Sequence, residues 1–273
     1  MKVAVVGASG FVGRHVLAQL RLRGLQTIAT ATRPPTLQDD SVRWTALDLH
    51  RPPADPWAAL DHAEVVIHLA WAGLPNYGSA HHVDHELPAQ RAFLTSLVEA
   101  GLPSLVVTGT CFEYGFQYGP LAPDAPARPA NPYAIAKDTL RLHLQSLQAR
   151  HPFNLSWARL FYMYGQGQPA NSLYPALKRA VEEGKPVFPM SMGEQLRDYL
   201  PVESVAQRLV ELAATPRNRG VLNICSGEPI SVRRLVETWV RDHGWRIELG
   251  LGQFPYAAHE PLAFWGVPPA PES

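Results

Sequence analysis

Val3-Ala4-Val5-Val6-Gly7-Ala8-Ser9-Gly10-Phe11-Val12-Gly13 opens with four small apolar residues and closes on glycines spaced G-x-x-G-x-x-G. An apolar, β-branched run of this length reads as a buried parallel strand. Residues 14–23 place Val16, Leu17 and Leu20 on one side and stop at Gly24, the pattern of a helix. A strand, a glycine turn and a helix make a phosphate site for a physical reason. Glycine lets the backbone approach a pyrophosphate, and the helix N-terminus offers N–H groups and the positive end of its dipole. Gly7, Ser9, Gly10, Phe11, Val12 and Gly13 are therefore expected to hold a dinucleotide. A tight turn that needs glycine only for packing is the alternative.

The strands that follow extend this reading. Residues 26–32 form a second strand, whose end carries Ala31 and Thr32 and then Arg33, with no carboxylate until Asp39. An acid at that end would hold the ribose hydroxyls of NAD; an arginine suits the extra 2′-phosphate of NADP. A third strand over 42–49 ends at Asp48, expected against the adenine amino group, and Leu49. A fourth over 65–71 ends at Leu69, Ala70 and Trp71. A fifth over 104–108 ends at Thr108 and runs on to Thr110, and a sixth over 155–160 ends at Leu160. Open α/β sheets hold ligands at the carboxyl ends of their strands, so these residues are expected to line a cofactor crevice. Strands alternating with helices predict an α/β, doubly wound (Rossmann) parallel sheet.

Asn131-Pro132-Tyr133-Ala134-Ile135-Ala136-Lys137 reads as a helix start, with Asn131 as cap and Pro132 in the first turn. Tyr133 and Lys137 are four apart and share a face. A cation beside a phenol is expected to lower its pKa and fit it for proton transfer.

Taken together, these pieces resemble the extended short-chain dehydrogenase/reductases, in the branch of nucleotide-sugar epimerases, dehydratases and 4-ketoreductases. The resemblance rests on Gly7, Gly10 and Gly13; Asp48; Ile67-His68-Leu69-Ala70; Thr110 with Tyr114-Gly115; and Tyr133 with Lys137. It continues through Arg159-Leu160-Phe161-Tyr162-Met163-Tyr164-Gly165, Arg197-Asp198-Tyr199 and Asn223-Ile224-Cys225-Ser226-Gly227, covering residues 1–240. It implies that Tyr133 is the general acid/base. Lys137 would hold the nicotinamide ribose, and Thr110 would hydrogen-bond the substrate oxygen. Residues 1–165 would form an NADP-binding domain. Residues 166–273 would form a small substrate-binding lobe interleaved with the sheet edge, with elements near 197–226 able to return to it.

The departures from the family pattern are informative. Its 4,6-dehydratases carry Asp and Glu directly after this threonine, where this chain has Cys111 and Phe112. Glu113 comes one place later and would face the other side of a continuing strand. Dehydration is therefore disfavoured. Tyr162 stands where many relatives place an asparagine against the sugar diphosphate. Arg197 is expected to pair with the substrate phosphates, or else to sit in a salt bridge within the lobe. Cys111, Phe112 and Tyr162 are expected at the substrate, and Glu260 and Trp265 are candidates for the sugar pocket. These features predict NADPH-dependent reduction of a nucleotide-linked 4-keto-6-deoxyhexose. An epimerase with a retained cofactor and a non-catalytic NADP-binding sensor are the alternatives.

Composition agrees with a globular enzyme: 273 residues, 46% hydrophobic, with 24 Lys+Arg balancing 24 Asp+Glu. That balance gives no reason to expect nucleic acid or an anionic membrane as partner. Cys111 and Cys225 are far apart, so neither a disulfide framework nor a metal site is expected, and the cytoplasm is the natural compartment. The opening residues lack a signal-peptide apolar core. His81-His82-Val83-Asp84-His85 reads as a histidine-rich helix start rather than a metal site. A homodimer is expected through helices at 81–100 and 131–150.

Overall fold

The computed structural model describes residues 1–35, 42–256 and 261–269; Asp39 and Glu260 lie outside them. In chain order its elements begin β1 (Lys2–Val6), α1 (Phe11–Leu22), β2 (Gln26–Ala31), β3 (Val42–Ala46), α2 (Pro56–Ala59), β4 (Val65–His68), α3 (Leu87–Glu99) and β5 (Ser104–Thr110). There follow β6 (Gly119–Leu121), α4 (Pro132–Gln148), β7 (Asn154–Leu160), β8 (Tyr162–Tyr164), α5 (Leu173–Glu182), β9 (Val187–Pro189) and β10 (Leu196–Pro201). The chain continues through α6 (Val202–Ala214), β11 (Gly220–Ile224), β12 (Pro229–Ser231), α7 (Val232–Asp242), β13 (Glu248–Gly250) and β14 (Phe264–Gly266).

Seven strands form one sheet in the order β11-β7-β5-β4-β1-β2-β3. Every pairing in it is parallel. The reversal of strand order falls between β1 and β4, where a doubly wound sheet opens its ligand crevice. The central strands are buried on both faces, which explains their continuous apolar runs: β4 and β5 have no exposed residue. On one face α3 and α4 pack Leu94, Leu97, Leu140, Leu144 and Leu147 against the sheet. On the other, α1 and α6 contribute Val16, Leu20, Val205 and Leu209. Each fully buried leucine contributes about 1.5–3 kcal/mol relative to exposure. A separate cluster joins α5 and α7 around Leu177, Phe188, Val236 and Trp239.

Local chemistry sets the element ends. The Asn131 side chain accepts from the Ala134 amide at 2.9 Å, with Pro132 in the first turn, so α4 starts where the cap and proline place it. Helix α1 begins at Phe11, three residues earlier than the apolar pattern suggests, because Gly10 serves as its cap. Strand β5 runs on to Thr110. Beyond it the chain does not stay extended but turns into a 3₁₀ helix over Cys111–Tyr114. The segment 81–100 is likewise not one regular helix: a π-helical turn over His82–Glu86 leads into α3. Among the described residues no helix is long and apolar enough to cross a membrane.

Candidate active site

The glycine turn is built for close approach. Gly7 has φ +88°, and a Cβ there would stand 2.7 Å from the Ala70 amide nitrogen. A Cβ on Gly13 would overlap the Gly7 carbonyl. No side chain caps α1, whose first turn opens at this cradle. Beside it lies a cavity of about 280 Å³ whose walls include Ser9, Gly10, Thr32, Asp48, Leu49, Leu69, Ala70 and Trp71. Asp48 turns partly back on its own loop, accepting from the His50 amide at 3.0 Å. Arg33 is exposed just beyond β2 and is not part of this wall.

A second cavity of about 440 Å³ continues from the same glycines. Its walls include Phe11, Val12, Gly13, Thr108, Thr110, Cys111, Phe112, Tyr133, Lys137, Leu160 and Tyr162. Leu69 and Trp71 line both cavities, so the two form halves of one cleft. Glycine turn, strand ends and the first turns of α4 are thereby brought together although they come from distant parts of the chain.

Lys137 is 2% exposed. Its Nζ donates to the Thr108 carbonyl at 2.9 Å and stands 4.1 Å from the centre of the Trp71 ring. Burial pushes its pKa down to about 7, against the pull of Glu113 and Glu86. Tyr133 is 7% exposed. Its pKa is raised rather than lowered, first by burial and then by Tyr77, Glu113 and Cys111, while a hydrogen bond with the Thr110 side chain opposes the rise. The expected lowering by Lys137 is thus corrected. The ammonium lies 6.0 Å from the phenol ring and faces Trp71, so desolvation outweighs it.

Glu113 takes no place in the cleft. Thr110 and Glu113 form a capping box that starts the 3₁₀ turn: the Thr110 amide donates to Glu113 Oε1 at 2.8 Å, and the Phe112 amide to Thr110 Oγ1 at 3.3 Å. The turn carries Glu113 beneath the strand ends. There Arg159 Nε donates to it at 2.7 Å and the Trp157 indole at 3.0 Å. All its partners are donors, so both oxygens act as acceptors and the group is a carboxylate. Burial raises its pKa, and Arg159 first among its partners opposes that. Glu113 therefore points away from the cleft because the chain turns, not because a strand alternates.

Arg197 is not brought to the cleft either. It is 4% exposed, donates to the carbonyls of Leu196 (2.8 Å) and Leu262 (3.3 Å), and packs on the rings of Phe264 and Tyr162. Trp265 sits in β14 outside the cleft wall.

Several cleft residues were not anticipated. Tyr77 packs on Tyr133 with ring centres 5.5 Å apart, and its carbonyl accepts from the Tyr133 amide at 3.2 Å. Leu74 and Pro75 extend that wall. His82 accepts from the Trp71 indole at Nδ1 (3.1 Å), which leaves Nε2–H to donate to the Asn76 carbonyl (2.8 Å). It is thus a staple for the loop over Tyr133. Glu86, 2% exposed, meets His50 Nε2 at 2.7 Å and accepts from the Ala72 amide at 3.1 Å and Gln90 at 3.3 Å. Burial would raise its pKa, but the Ala72, His50 and Gln90 hydrogen bonds outweigh that and hold it low.

A dinucleotide-binding, doubly wound fold with a buried Thr-Tyr-Lys array defines an NAD(P)-dependent oxidoreductase of the extended short-chain dehydrogenase/reductase type. The model of the NAD dependent epimerase/dehydratase family matches residues 3–225, and the chain belongs to that family. It is 29% identical over 270 residues to a dTDP-6-deoxy-L-talose 4-dehydrogenase (NAD(+)) of Aggregatibacter actinomycetemcomitans, covering 97% of this chain and 99% of that one. It is also 29% identical to a GDP-6-deoxy-D-mannose reductase of Pseudomonas aeruginosa, covering 86% and 78%. Among solved structures it is similar to MoeE5 in complex with UDP-glucuronic acid and NAD, at TM-score 0.80 and 28% identity, covering 98% of this chain and 90% of that one.

Proposed function

We propose that this protein reduces the 4-keto group of a nucleotide-linked 6-deoxyhexose, with NADPH as hydride donor. The observation that carries this reading is the meeting of Thr110, Tyr133 and Lys137 in one cleft with the glycine cradle. Bound there, the dinucleotide supplies a hydride to the substrate carbon. The Thr110 hydroxyl, paired with Tyr133 in this structure, turns with it to the substrate oxygen. Two donors then meet the charge that develops on that oxygen, and Tyr133 gives it a proton. The Lys137 ammonium, held at the Thr108 carbonyl, would hold the dinucleotide ribose and supply a positive charge beside the site. With Cys111 and Phe112 after Thr110, and Glu113 locked to Arg159, no carboxylate stands next to Thr110 and Tyr133 among the described residues of this cavity to assist elimination of water. The names of the dehydrogenase and reductase relatives support the same chemistry in either direction.

Net consumption of NADPH by purified protein with a dTDP-linked 4-dehydro-6-deoxyhexose is the direct test. Interconversion of nucleotide sugars without net NADPH consumption would identify an epimerase and reject the reading.

The 2′-phosphate preference is proposed from the end of β2. Ala31 is buried there and Thr32 lines the cleft, so neither supplies a carboxylate, and Arg33 is exposed within reach of solvent anions. NADPH should bind more tightly than NADH, and Arg33→Ala should narrow the gap by about 1.5–3 kcal/mol, the scale of a charged hydrogen bond. Equal affinities for the two in fluorescence titration of the unmutated protein would reject this.

We propose a homodimer through α3 and α4 as well. Leu140, Leu144 and Leu147 of α4 are buried against the sheet, whereas Ile135 and Leu142 are 41% and 53% exposed on its outer side. Those exposed apolar groups suit a second copy. Sedimentation at micromolar concentration should give a dimer, and Leu142→Glu a monomer; a monomeric unmutated protein counts against it.

A further inference from the structure

A sugar whose C4 oxygen meets Thr110 and Tyr133 must place both neighbouring carbons close to the same wall. C3 carries a hydroxyl, and C5 carries C6. The wall there is aromatic. Tyr77 packs against Tyr133 (ring centres 5.5 Å) and edge-on against Phe112 (5.0 Å), and Phe112 continues to Tyr162 (6.4 Å). Its two middle members are anchored at the reaction centre: the Phe112 amide donates to Thr110 Oγ1 and the Tyr133 amide to the Tyr77 carbonyl. Leu74 adds to the apolar lining. Away from the reaction centre, the amide and aliphatic hydroxyl groups of the lining, Gln168, Asn171 and Ser172, come from the segment leading into α5, and the arc's own polar atoms are the Tyr77 and Tyr162 hydroxyls.

Among the described residues that line this cavity, Lys137 alone carries a charge, and it is already engaged with the Thr108 carbonyl and the Trp71 face. A C6 carboxylate would therefore be buried without a free counter-charge, and a C6 hydroxyl would meet the Phe112 ring and the ring faces of Tyr77 and Tyr162, with the two phenol hydroxyls as the arc's polar atoms. A methyl group would lose nothing on entering.

We propose that Tyr77 and Phe112 form the subsite for the C5 substituent and select a C6 methyl over hydroxymethyl or carboxylate, an inference that rests on the reductase reading above. Hydrophobic pockets discriminate against an added hydroxyl by about 10² in kcat/KM, which sets the expected size.

The test uses the purified protein, NADPH and two dTDP-linked 4-dehydrohexoses alike except at C6, one with a methyl and one with a hydroxymethyl group. The methyl sugar should be favoured by about 10² in kcat/KM. The matching 4-dehydrohexuronate should not be turned over. Phe112→Asn supplies a polar partner and should bring the ratio below about 10, while Phe112→Leu should preserve it. Equal kcat/KM for the two sugars in the unmutated protein overturns the proposal and leaves the reductase reading standing. So does a ratio unchanged in folded Phe112→Asn. Consumption of neither sugar removes both.

Discussion

Tyr133→Phe is expected to lower reduction of the nucleotide-linked 4-keto-sugar by about 10²–10⁴-fold while changing NADPH affinity only slightly. The phenol is the acid paired with the Thr110 hydroxyl and so placed to pass a proton to the nascent alkoxide; Tyr77 and Cys111 are its other titratable neighbours in the cleft, and Glu113 is committed to Arg159. The ring itself stays, with its contacts to Trp71, Tyr77 and His82, so the fold and the dinucleotide half of the cleft lose little. Lys137→Met should damage binding as well as turnover, because it removes a buried cation from the cofactor's path. Turnover by Tyr133→Phe at the unmutated rate would end the mechanism.

The pH dependence separates the two residues. Burial raises the Tyr133 pKa, so Tyr133 retains its proton through the neutral and mildly alkaline range. Lys137 is the group that titrates there, since burial brings it down to about 7. Below that pH it is the cation; above it the free protein loses that charge. An anionic dinucleotide favours the charged form, so binding above pH 7 takes up a proton. NADPH affinity should fall as pH rises from 7 toward 9, by up to about tenfold per unit. The slope should flatten in Lys137→Met. Calorimetric titration in two buffers of different ionisation enthalpy measures the proton directly; absence of any uptake in the unmutated protein would reject this assignment.

What could be read in advance was local. β1, the glycine turn and α1 declare themselves because a doubly buried strand must be apolar and a backbone at φ +88° against Ala70 needs glycine. Asn131-Pro132 marks the start of α4 for equally local reasons, and the spacing of Tyr133 and Lys137 follows from it. The rest depends on long-range packing. Nothing near Arg197 in sequence announces the ring of Phe264 that covers it. The rise in the Tyr133 pKa comes first from burial and then from Tyr77, Glu113 and Cys111, brought to it by the fold, and the i,i+4 spacing is silent on that. Tyr77 sits in a Pro- and Gly-rich loop with no periodicity to place it. Thr110-x-x-Glu113 is itself the pattern of a capping box, a local signal that turns the chain after β5 and sends Glu113 inward.

That inward turn leads to the largest stability effect expected. Glu113→Ala should destabilise the protein by about 3–5 kcal/mol. Glu113 is fully buried and Arg159 is 2% exposed, their ion pair is 2.7 Å long, and the guanidinium lies 4.4 Å from the Tyr114 ring centre. Removing the carboxylate leaves a desolvated cation with the Pro123 carbonyl and the neutral Tyr114 phenol as partners, neither of them a counter-charge, and orphans the Trp157 indole and Thr110 amide. At about 2–4 °C per kcal/mol, the midpoint of thermal unfolding should fall by about 10 °C. Because the same carboxylate fixes the Thr110 backbone, turnover by the folded fraction should fall too. Pairing Glu113→Leu with Arg159→Met removes both charges together, and its cost should be smaller than the two single costs added. Additive losses in the double variant, or a Glu113→Ala protein melting at the unmutated temperature, would show that the pair does not hold the end of β5 in place.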